Sequence, residues 1–352
     1  MFQLQIGSHS FRTLQDFQSP SVEIPHFAKD AFSFCKDWLE GKNSFLLHTS
    51  GSTGTPKPIL IQRSQMESSA LATKQFFEIP AKPQLLCCMN TQFIAGKMML
   101  VRAMVWGGSI LLIEPSSTPL KNLPDSFDPE FVAMVPLQVE ESIKSSLNKL
   151  KAINYLLIGG APASKNLQEA ILELKLNAFQ SYGMTETVSH IAIASYSSEE
   201  MVYQVLPSVE VGTDNRGALW VNCPMSNHQK IQTNDMVELI DPYHFKWLGR
   251  TDFVINSGGY KLHPERIEKK LEHLIPDHSY FLFGIPDSKF GQKLVLIIES
   301  DLSVADKVSR ELKDKFLEVL DKYEIPKEIY FVDKFIRTET GKINRKLTAD
   351  NI

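Results

Sequence analysis

Apolar positions in this chain come in short runs, separated by stretches of helical period and by turn residues. Ser44-Phe-Leu-Leu-His-Thr49 predicts a short buried strand, and Ile59-Leu-Ile61 predicts the strand that returns beside it. Gln84–Met89, Ser109–Glu114, Phe131–Val135 and Tyr155–Ile158 read as further strands. Helical spacing marks Phe27–Leu39, Gln65 to about Phe77 with Ser64 as its cap, Met98–Val105 and Asn166–Leu174. Residues 1–40 are otherwise mixed. Strands alternating with helices predict layered α/β structure on a largely parallel sheet.

The texture changes twice. From Val205 to Leu248, the runs Gly217–Asn222, Met236–Ile240 and His244–Leu248 are short and separated by turn residues, which predicts an antiparallel β subdomain. Beyond Gly249, Pro264 sits where a first helical turn would start, and Ile267, Leu271 and Leu274 share one helical face. Strands at Tyr280–Gly284, Leu294–Glu299 and Ile329–Val332 and a helix near Ala305–Leu320 complete a small α+β unit. The expected fold class is α/β: a large N-terminal α/β domain, residues 1–250, with its antiparallel subdomain, then a small C-terminal α+β domain, residues 251–352. The boundary falls near Gly249–Asp252.

Composition narrows the function classes. The 352 residues carry 37 Lys+Arg and 41 Asp+Glu, a formal charge of −4, which gives no footprint for nucleic acid. The most apolar stretch, Met98–Ile113, is interrupted by Arg102, Gly107 and Gly108 and is too short to span a bilayer. The N-terminus lacks the basic start and apolar core of a secretory signal. Cys35, Cys87, Cys88 and Cys223 form no CxxC pair, so reduced thiols in a cytoplasmic protein are expected.

The chemistry is concentrated in loops. Thr49-Ser-Gly-Ser-Thr-Gly-Thr-Pro-Lys57 follows a buried strand and has the composition of a phosphate cradle. Gly51 and Gly54 free the backbone to present N–H groups, Ser50, Ser52, Thr53 and Thr55 offer hydroxyls, and Lys57 adds a cation. Pro56 stands where a Walker loop has its second glycine, so this is a different cradle. A flexible hairpin loop is the plainer reading of the same residues.

Three more segments follow in order: Gln180-Ser-Tyr-Gly-Met-Thr-Glu-Thr187, Gly249 to Glu268, and Thr338-Glu-Thr-Gly-Lys-Ile-Asn-Arg345. With the first loop they resemble the motifs of the adenylate-forming superfamily, which includes acyl-CoA synthetases, peptide-synthetase adenylation domains and firefly luciferase. The resemblance spans residues 49 to 345. It implies activation of a small carboxylic acid by ATP and Mg²⁺, giving an acyl-adenylate and pyrophosphate, then transfer to coenzyme A. Attack of a carboxylate on the α-phosphate brings two anions together, so such a site must neutralise and align charge.

By this resemblance Thr49, Ser50, Gly51, Ser52, Thr53, Gly54 and Lys57 would hold the β- and γ-phosphates. Gly160, Ala161 and Pro162 would line the adenine, and Tyr182 would stack on it. Thr185 would bond the α-phosphate, Glu186 would help hold Mg²⁺, and Asp235 and Arg250 would take the ribose hydroxyls. Asn234 stands where the family commonly has glycine. Lys342 would reach the acid and the α-phosphate during adenylation. The hinge would lie at Asp252, with rotation of a mobile small domain replacing Lys342 by the Gly258-Gly259 face for thioester formation. Taken singly, each has a blander reading: Tyr182 as a core aromatic, Glu186 and Asp235 as surface carboxylates, Lys342 as a solvated lysine, Arg250 as a partner of Asp252, Gly258-Gly259 as a β-turn.

The first phosphate loop begins at Thr49, much earlier than in typical acyl-CoA synthetases, so a reduced N-terminal region and an acyl pocket built from residues 85–190 are expected. Compact members with this motif set resemble the bacterial o-succinylbenzoate–CoA ligases of menaquinone biosynthesis. An aromatic keto acid with a second carboxylate needs an apolar wall and a cation or several donors. Phe93, Gly96 and Met99 are the wall candidates. Lys97, Arg102, Ser189 and His190 are the polar candidates, with Ser181 and Gly183 at the pocket edge. The family's aromatic-His pair is missing from Gln92-Phe-Ile-Ala-Gly96. His190 could instead be a satisfied hydrogen-bonded residue, and Arg102 could cross a helix without touching ligand. Other aryl or medium-chain acids, a carrier-protein thiol as acceptor, and a non-catalytic nucleotide-binding role stay open, as does the oligomeric state, a homodimer included.

Overall fold

The computed structural model describes residues 1–48, 58–124, 126–197, 200–276, 278–301, 305–337 and 343–352. The first strand, β1 (Gln3–Ile6), buries Leu4 and Ile6 and turns at Gly7 into β2 (His9–Phe11). Neither is visible in the sequence pattern, because Gln-Leu-Gln-Ile and His-Ser-Phe form no apolar run. Phe11, Phe17 of α1 (Leu14–Gln18) and Phe32 of α2 (Lys29–Leu39) pack ring on ring at 4.7–5.9 Å. A hairpin of β3 (Ser44–His48) and β4 (Pro58–Gln62) forms its own two-stranded sheet. It leads into α3 (Arg63–Phe76), which is capped by Gln62 rather than Ser64: the Gln62 amide donates to the Gln65 side chain at 2.9 Å.

Strands β5 (Gln84–Cys87), β6 (Ser109–Leu112), β7 (Phe131–Met134), β8 (Tyr155–Ile158) and β9 (Ala178–Gly183) run parallel in the order β9-β8-β7-β5-β6-β1. Between them lie α4 (Ile94–Trp106), α5 (Pro136–Ser145), α6 (Leu147–Lys151) and α7 (Lys165–Glu173). Helix α4 is apolar nearly all round and buried nearly all round. It approaches the loop before it so closely that a Cβ on Gly96 would lie 2.5 Å from the Asn90 carbonyl oxygen.

Antiparallel structure starts at His190, earlier than the sequence pattern places it. Strands β10 (His190–Ser195), β11 (Val202–Val205), β12 (Glu210–Thr213), β13 (Ala218–Asn222), β14 (Ile231–Asp241) and β15 (His244–Arg250) continue the parallel sheet in the order β9-β10-β11-β15-β14-β13-β12, giving thirteen strands with β2 at the far edge. The turn Thr251–Phe253 then leads to a five-stranded sheet. It is built from β16 (Ile255–Ser257), β17 (Tyr260–Leu262), β18 (Tyr280–Asp287), β19 (Gly291–Glu299) and β20 (Glu328–Val332). Helix α8 (Pro264–Leu271) buries Ile267 and Leu271 on it, and α9 (Ala305–Val319) adds Leu312 and Phe316. The short α10 (Arg345–Ala349) closes the chain.

Candidate active site

In an open α/β sheet, ligands bind beyond the carboxyl ends of the strands. That edge gathers several of the candidates. Gly160, Ala161 and Pro162 follow β8 directly and are exposed, with Gly160 at φ +85°. Ser181, on neighbouring β9, donates to the Ile158 carbonyl at 3.0 Å and stands so close to Gly159 that a Cβ there would meet its Oγ at 2.6 Å. Gly183 passes the β10 backbone at a distance no side chain would allow, a Cβ falling 2.3 Å from the Ser189 carbonyl oxygen.

Tyr182 points across the crevice. Its hydroxyl donates to Asp235 Oδ2 at 2.7 Å, while its ring packs edge-on against Phe245. Asp235 and Arg250 are paired in register on β14 and β15. Asp235 Oδ1 accepts the indole N–H of Trp247 at 3.2 Å and lies 3.6 Å from the Arg250 guanidinium. Burial and the adjacent Asp235 carboxylate push the Tyr182 phenol far above its ordinary range. Arg250 also holds Asp252 at 2.6 Å, the pairing that its blander reading anticipates. Asn234, the departure from the usual glycine, donates to the other Asp252 oxygen at 2.7 Å. Trp247 carried no motif signal, since an indole on a strand reads as core.

Thr185 and Glu186 sit on the short turn Thr185–Thr187. Thr187 is buried and donates within 2.9–3.0 Å of the Met184 and Ser189 carbonyls, which locks the turn. Val188 follows at φ 66°, ψ −50°, with the Ser189 amide donating to the Thr187 carbonyl at 2.6 Å. That is a γ-turn of the strained kind, on a β-branched residue whose side chain is buried. It aims Ser189 and His190 back towards α4. Glu186 is exposed, and its carboxylate bonds to no described residue. No cluster of three or more metal-ligating side chains occurs among the described residues. A lone carboxylate suits Mg²⁺, which keeps waters and phosphate oxygens and needs one or two protein ligands.

The polar candidates for the acid are partnered differently from one another. Lys97 is buried and bonded at 2.6 Å to both Asp30 on α2 and the Thr91 carbonyl. Arg102 is 2% exposed and has no carboxylate partner among the described residues. It donates to Ser189 Oγ at 3.1 Å, lies 3.4 Å from His190 Nδ1 and 5.4 Å from the Phe131 ring centroid, and its Nε is without a partner among the described residues. Burial pushes it down to about 10. Thr73 donates to the Ser69 carbonyl at 2.9 Å, so its oxygen accepts from His190 Nε2 at 3.0 Å. His190 is therefore a neutral imidazole with its proton on Nε2, held well below the usual range by burial and then by Arg102. Phe93 precedes α4 and is exposed, and Met99 is buried against Arg102.

Gly258 and Gly259 form the two-residue turn between β16 and β17, at φ 59° and 86°. Positive φ at both positions is what a tight hairpin of this kind requires. Thr49, Ser50, Gly51, Ser52, Thr53, Gly54, Lys57 and Lys342 lie outside the described residues.

Residues 14–215 match the profile of the AMP-binding enzyme family. The chain belongs to that family. It is an AMP-forming acid–thiol ligase whose reaction uses ATP, Mg²⁺ and coenzyme A. The chain is 25% identical to the 2-succinylbenzoate–CoA ligase of Staphylococcus epidermidis over 330 residues, 86% of this chain and 68% of that one. It is 36% identical to a crystal structure from Dyadobacter fermentans described as acyl-CoA synthetase (AMP-forming)/AMP-acid ligase II-like, with TM-score 0.65, covering 97% of this chain and 98% of that one. The o-succinylbenzoate CoA synthetase of Bacillus subtilis, solved with its acyl-adenylate, shares the fold at TM-score 0.73 and 24% identity, over 86% of this chain and 68% of that one. Among the described residues no helix is long and apolar enough to cross a membrane.

Proposed function

We propose that this ligase activates 2-succinylbenzoate and transfers it to coenzyme A in the cytoplasm. The observation that carries the substrate reading is Arg102, a buried guanidinium without a carboxylate partner among the described residues, lying behind the half-buried Ser189. An isolated buried cation is costly, and an anion brought by a ligand offsets that cost. The second carboxylate of 2-succinylbenzoate would reach the Ser189 hydroxyl with the Arg102 charge behind it. Lys97 is already neutralised by Asp30. The names of the curated relatives support the same acid.

In this reading the small domain, residues 251–352, turns about Asp252. The phosphate loop with Lys57 aligns the triphosphate, and Tyr182 and the 160–162 backbone enclose the adenine. Asp235 and Arg250 exchange part of their mutual bonding for the ribose hydroxyls, and Thr185 donates to the α-phosphate. Glu186 would hold Mg²⁺, which neutralises charge on the phosphates when bound. Lys342 draws the substrate carboxylate onto the α-phosphorus. The carboxylate oxygen forms the new P–O bond and pyrophosphate leaves. The thiolate of coenzyme A then attacks the acyl carbonyl, AMP departs, and the Gly258-Gly259 hairpin lines the approach. Lys57 and Lys342 together argue against a non-catalytic role.

The test is pyrophosphate release with ATP, Mg²⁺, coenzyme A and a panel of 2-succinylbenzoate, benzoate, 4-coumarate, a medium-chain fatty acid and acetate. Preference for 2-succinylbenzoate, with its thioester confirmed by mass, is the expected outcome. Preference for a monocarboxylate overturns the substrate assignment and keeps the reaction.

A further inference from the structure

Thr73 lies on α3, outside all four motif segments, and is fully buried. Trp106, one turn beyond Arg102 on α4, donates its indole N–H to the Ala70 carbonyl of α3 at 2.8 Å. That bond fixes the two helices against each other. Thr73 and Arg102 then meet opposite nitrogens of the buried His190: Thr73 Oγ1 lies 3.0 Å from Nε2 and Arg102 Nη2 lies 3.4 Å from Nδ1. Both ends select the same tautomer. An arginine has only donors, so the nitrogen that faces Arg102 is the bare one. Thr73 gives its single proton to the Ser69 carbonyl at 2.9 Å, so it accepts from the other nitrogen. The imidazole proton therefore sits on Nε2.

The Nδ1 lone pair is left for Arg102 Nη2 and for the Ser189 hydroxyl, 3.3 Å away. Arg102 Nη2 in turn donates to Ser189 Oγ at 3.1 Å. Among the described residues, uncharged acceptors hold the guanidinium, which fixes its place and leaves its charge intact. Lys97 shows the contrast, since Asp30 fixes it and cancels its charge. Moving the imidazole proton to Nδ1 would set N–H against N–H across 3.4 Å and displace the guanidinium from behind Ser189. We propose that Thr73 is a positioning residue for acid recognition: by taking the Nε2 proton of His190, it keeps the Nδ1 lone pair on Arg102 and holds the guanidinium behind Ser189 without cancelling its charge. This rests on the reading of Arg102 as the cation that draws the second carboxylate of the acid.

The experiment compares full-length wild type with Thr73→Val, which keeps the shape and removes the hydroxyl, and with Thr73→Ser, which keeps the hydroxyl. Long-range nitrogen–proton NMR correlations of the isotope-labelled proteins show which imidazole nitrogen carries the proton. The His190 signals are those missing from His190→Gln. kcat/KM is measured alongside for 2-succinylbenzoate and for benzoate. Expected is a proton on Nε2 in wild type and in Thr73→Ser. In Thr73→Val it moves to Nδ1 or divides between the two nitrogens. The preference for 2-succinylbenzoate over benzoate then falls at least about tenfold, the worth of one hydrogen bond to a charged group. kcat/KM for benzoate, which lacks the second carboxylate, stays within about twofold. A wild-type proton on Nδ1 overturns the proposal. So does an unmoved proton in Thr73→Val, whatever happens to the preference. A moved proton with an unchanged preference overturns the positioning role and leaves the reading of Arg102 standing. A wild type that does not prefer 2-succinylbenzoate overturns that reading and the proposal with it. An equal fall in Thr73→Ser and Thr73→Val marks a packing effect and also overturns the proposal. Should Thr73→Val lose its cooperative melt, His190→Gln keeps a donor for Thr73 and lacks the Nδ1 acceptor. The same fall in preference is expected there, and an unchanged preference overturns the proposal.

Discussion

Arg250 is bonded to Asp252 at 2.6 Å, and this contact fastens the Tyr182–Asp235–Arg250 cluster to the turn between the two sheets. The second Asp252 oxygen is held by Asn234 at 2.7 Å, so two neighbours of Asp235 restrain the proposed hinge. Both contacts are solvent-exposed, and each is worth at most about 1 kcal/mol. Asn234→Gly removes one restraint and restores the family's common residue. The thioester half-reaction is expected to quicken up to about fivefold with pyrophosphate exchange unchanged. Single-turnover measurement of the two halves decides it; a slower thioester step would show that Asn234 does not restrain the hinge.

Much of this arrangement is legible in the amino-acid sequence. The Ser44 hairpin and strands β5–β8, β13–β15 and β18–β20 follow runs of apolar residues, and Pro264 marks the start of α8, because burial of one face leaves a periodic trace; β10–β12, β16 and β17 are not among the strands the pattern predicts. The partners of the residues proposed for the acid left no such trace. Nothing in the spelling of Lys97 says that Asp30, far away in sequence, neutralises it. Nothing in that of Arg102 says that it has no carboxylate partner among the described residues. Strain at Val188 is equally silent, since a β-branched residue there would ordinarily be read as strand. Side-chain partnership is a tertiary property, and motifs report only which residue types are available for it.

Arg102 and Lys97 are expected to part company on mutation. Burial lowers Arg102 from 12.5 to about 10, a cost of roughly 3 kcal/mol at neutral pH in the absence of a bound anion. Arg102→Met therefore leaves unfolding stability unchanged or raised, as replacement of unpaired buried charge often does. Its kcat/KM for 2-succinylbenzoate falls about 10²-fold relative to benzoate. Lys97→Met does the opposite, losing about 1–3 kcal/mol of stability by stranding Asp30 while keeping the acid preference. Urea unfolding and the acid panel read both. A loss of preference in Lys97→Met, with none in Arg102→Met, would reverse the assignment.

His190 predicts a pH dependence with a definite sign. The folded protein keeps this imidazole neutral well below 6.5, whereas the unfolded chain protonates it near 6.5. Below pH 6.5 the unfolded state binds the extra proton, so stability falls as pH drops from 7 to 5 and is regained as pH rises again. The site contributes at most about 2 kcal/mol of that fall. Its cause is burial first and the Arg102 charge second. His190→Gln retains a donor for Thr73 without titrating, so its stability loss between pH 7 and 5 is expected to be smaller by about 1–2 kcal/mol. Denaturant melts at the two pH values measure it, and identical losses in both proteins would assign the acid sensitivity to other groups.

The hairpin at Gly258-Gly259 separates backbone strain from function. A side chain at Gly259 meets nothing within 4 Å, so the space around it is open. Its φ of 86° nonetheless penalises any L-residue by about 1–2 kcal/mol. Gly259→Ala and Gly259→Leu therefore share one stability cost and differ in bulk. If this turn lines the approach of the thiol, pyrophosphate exchange stays near wild type in both variants. Thioester formation then falls by at least about tenfold in Gly259→Leu and by no more than about threefold in Gly259→Ala. Equal thioester rates in the two variants would make the turn a backbone device alone and place the thiol path elsewhere.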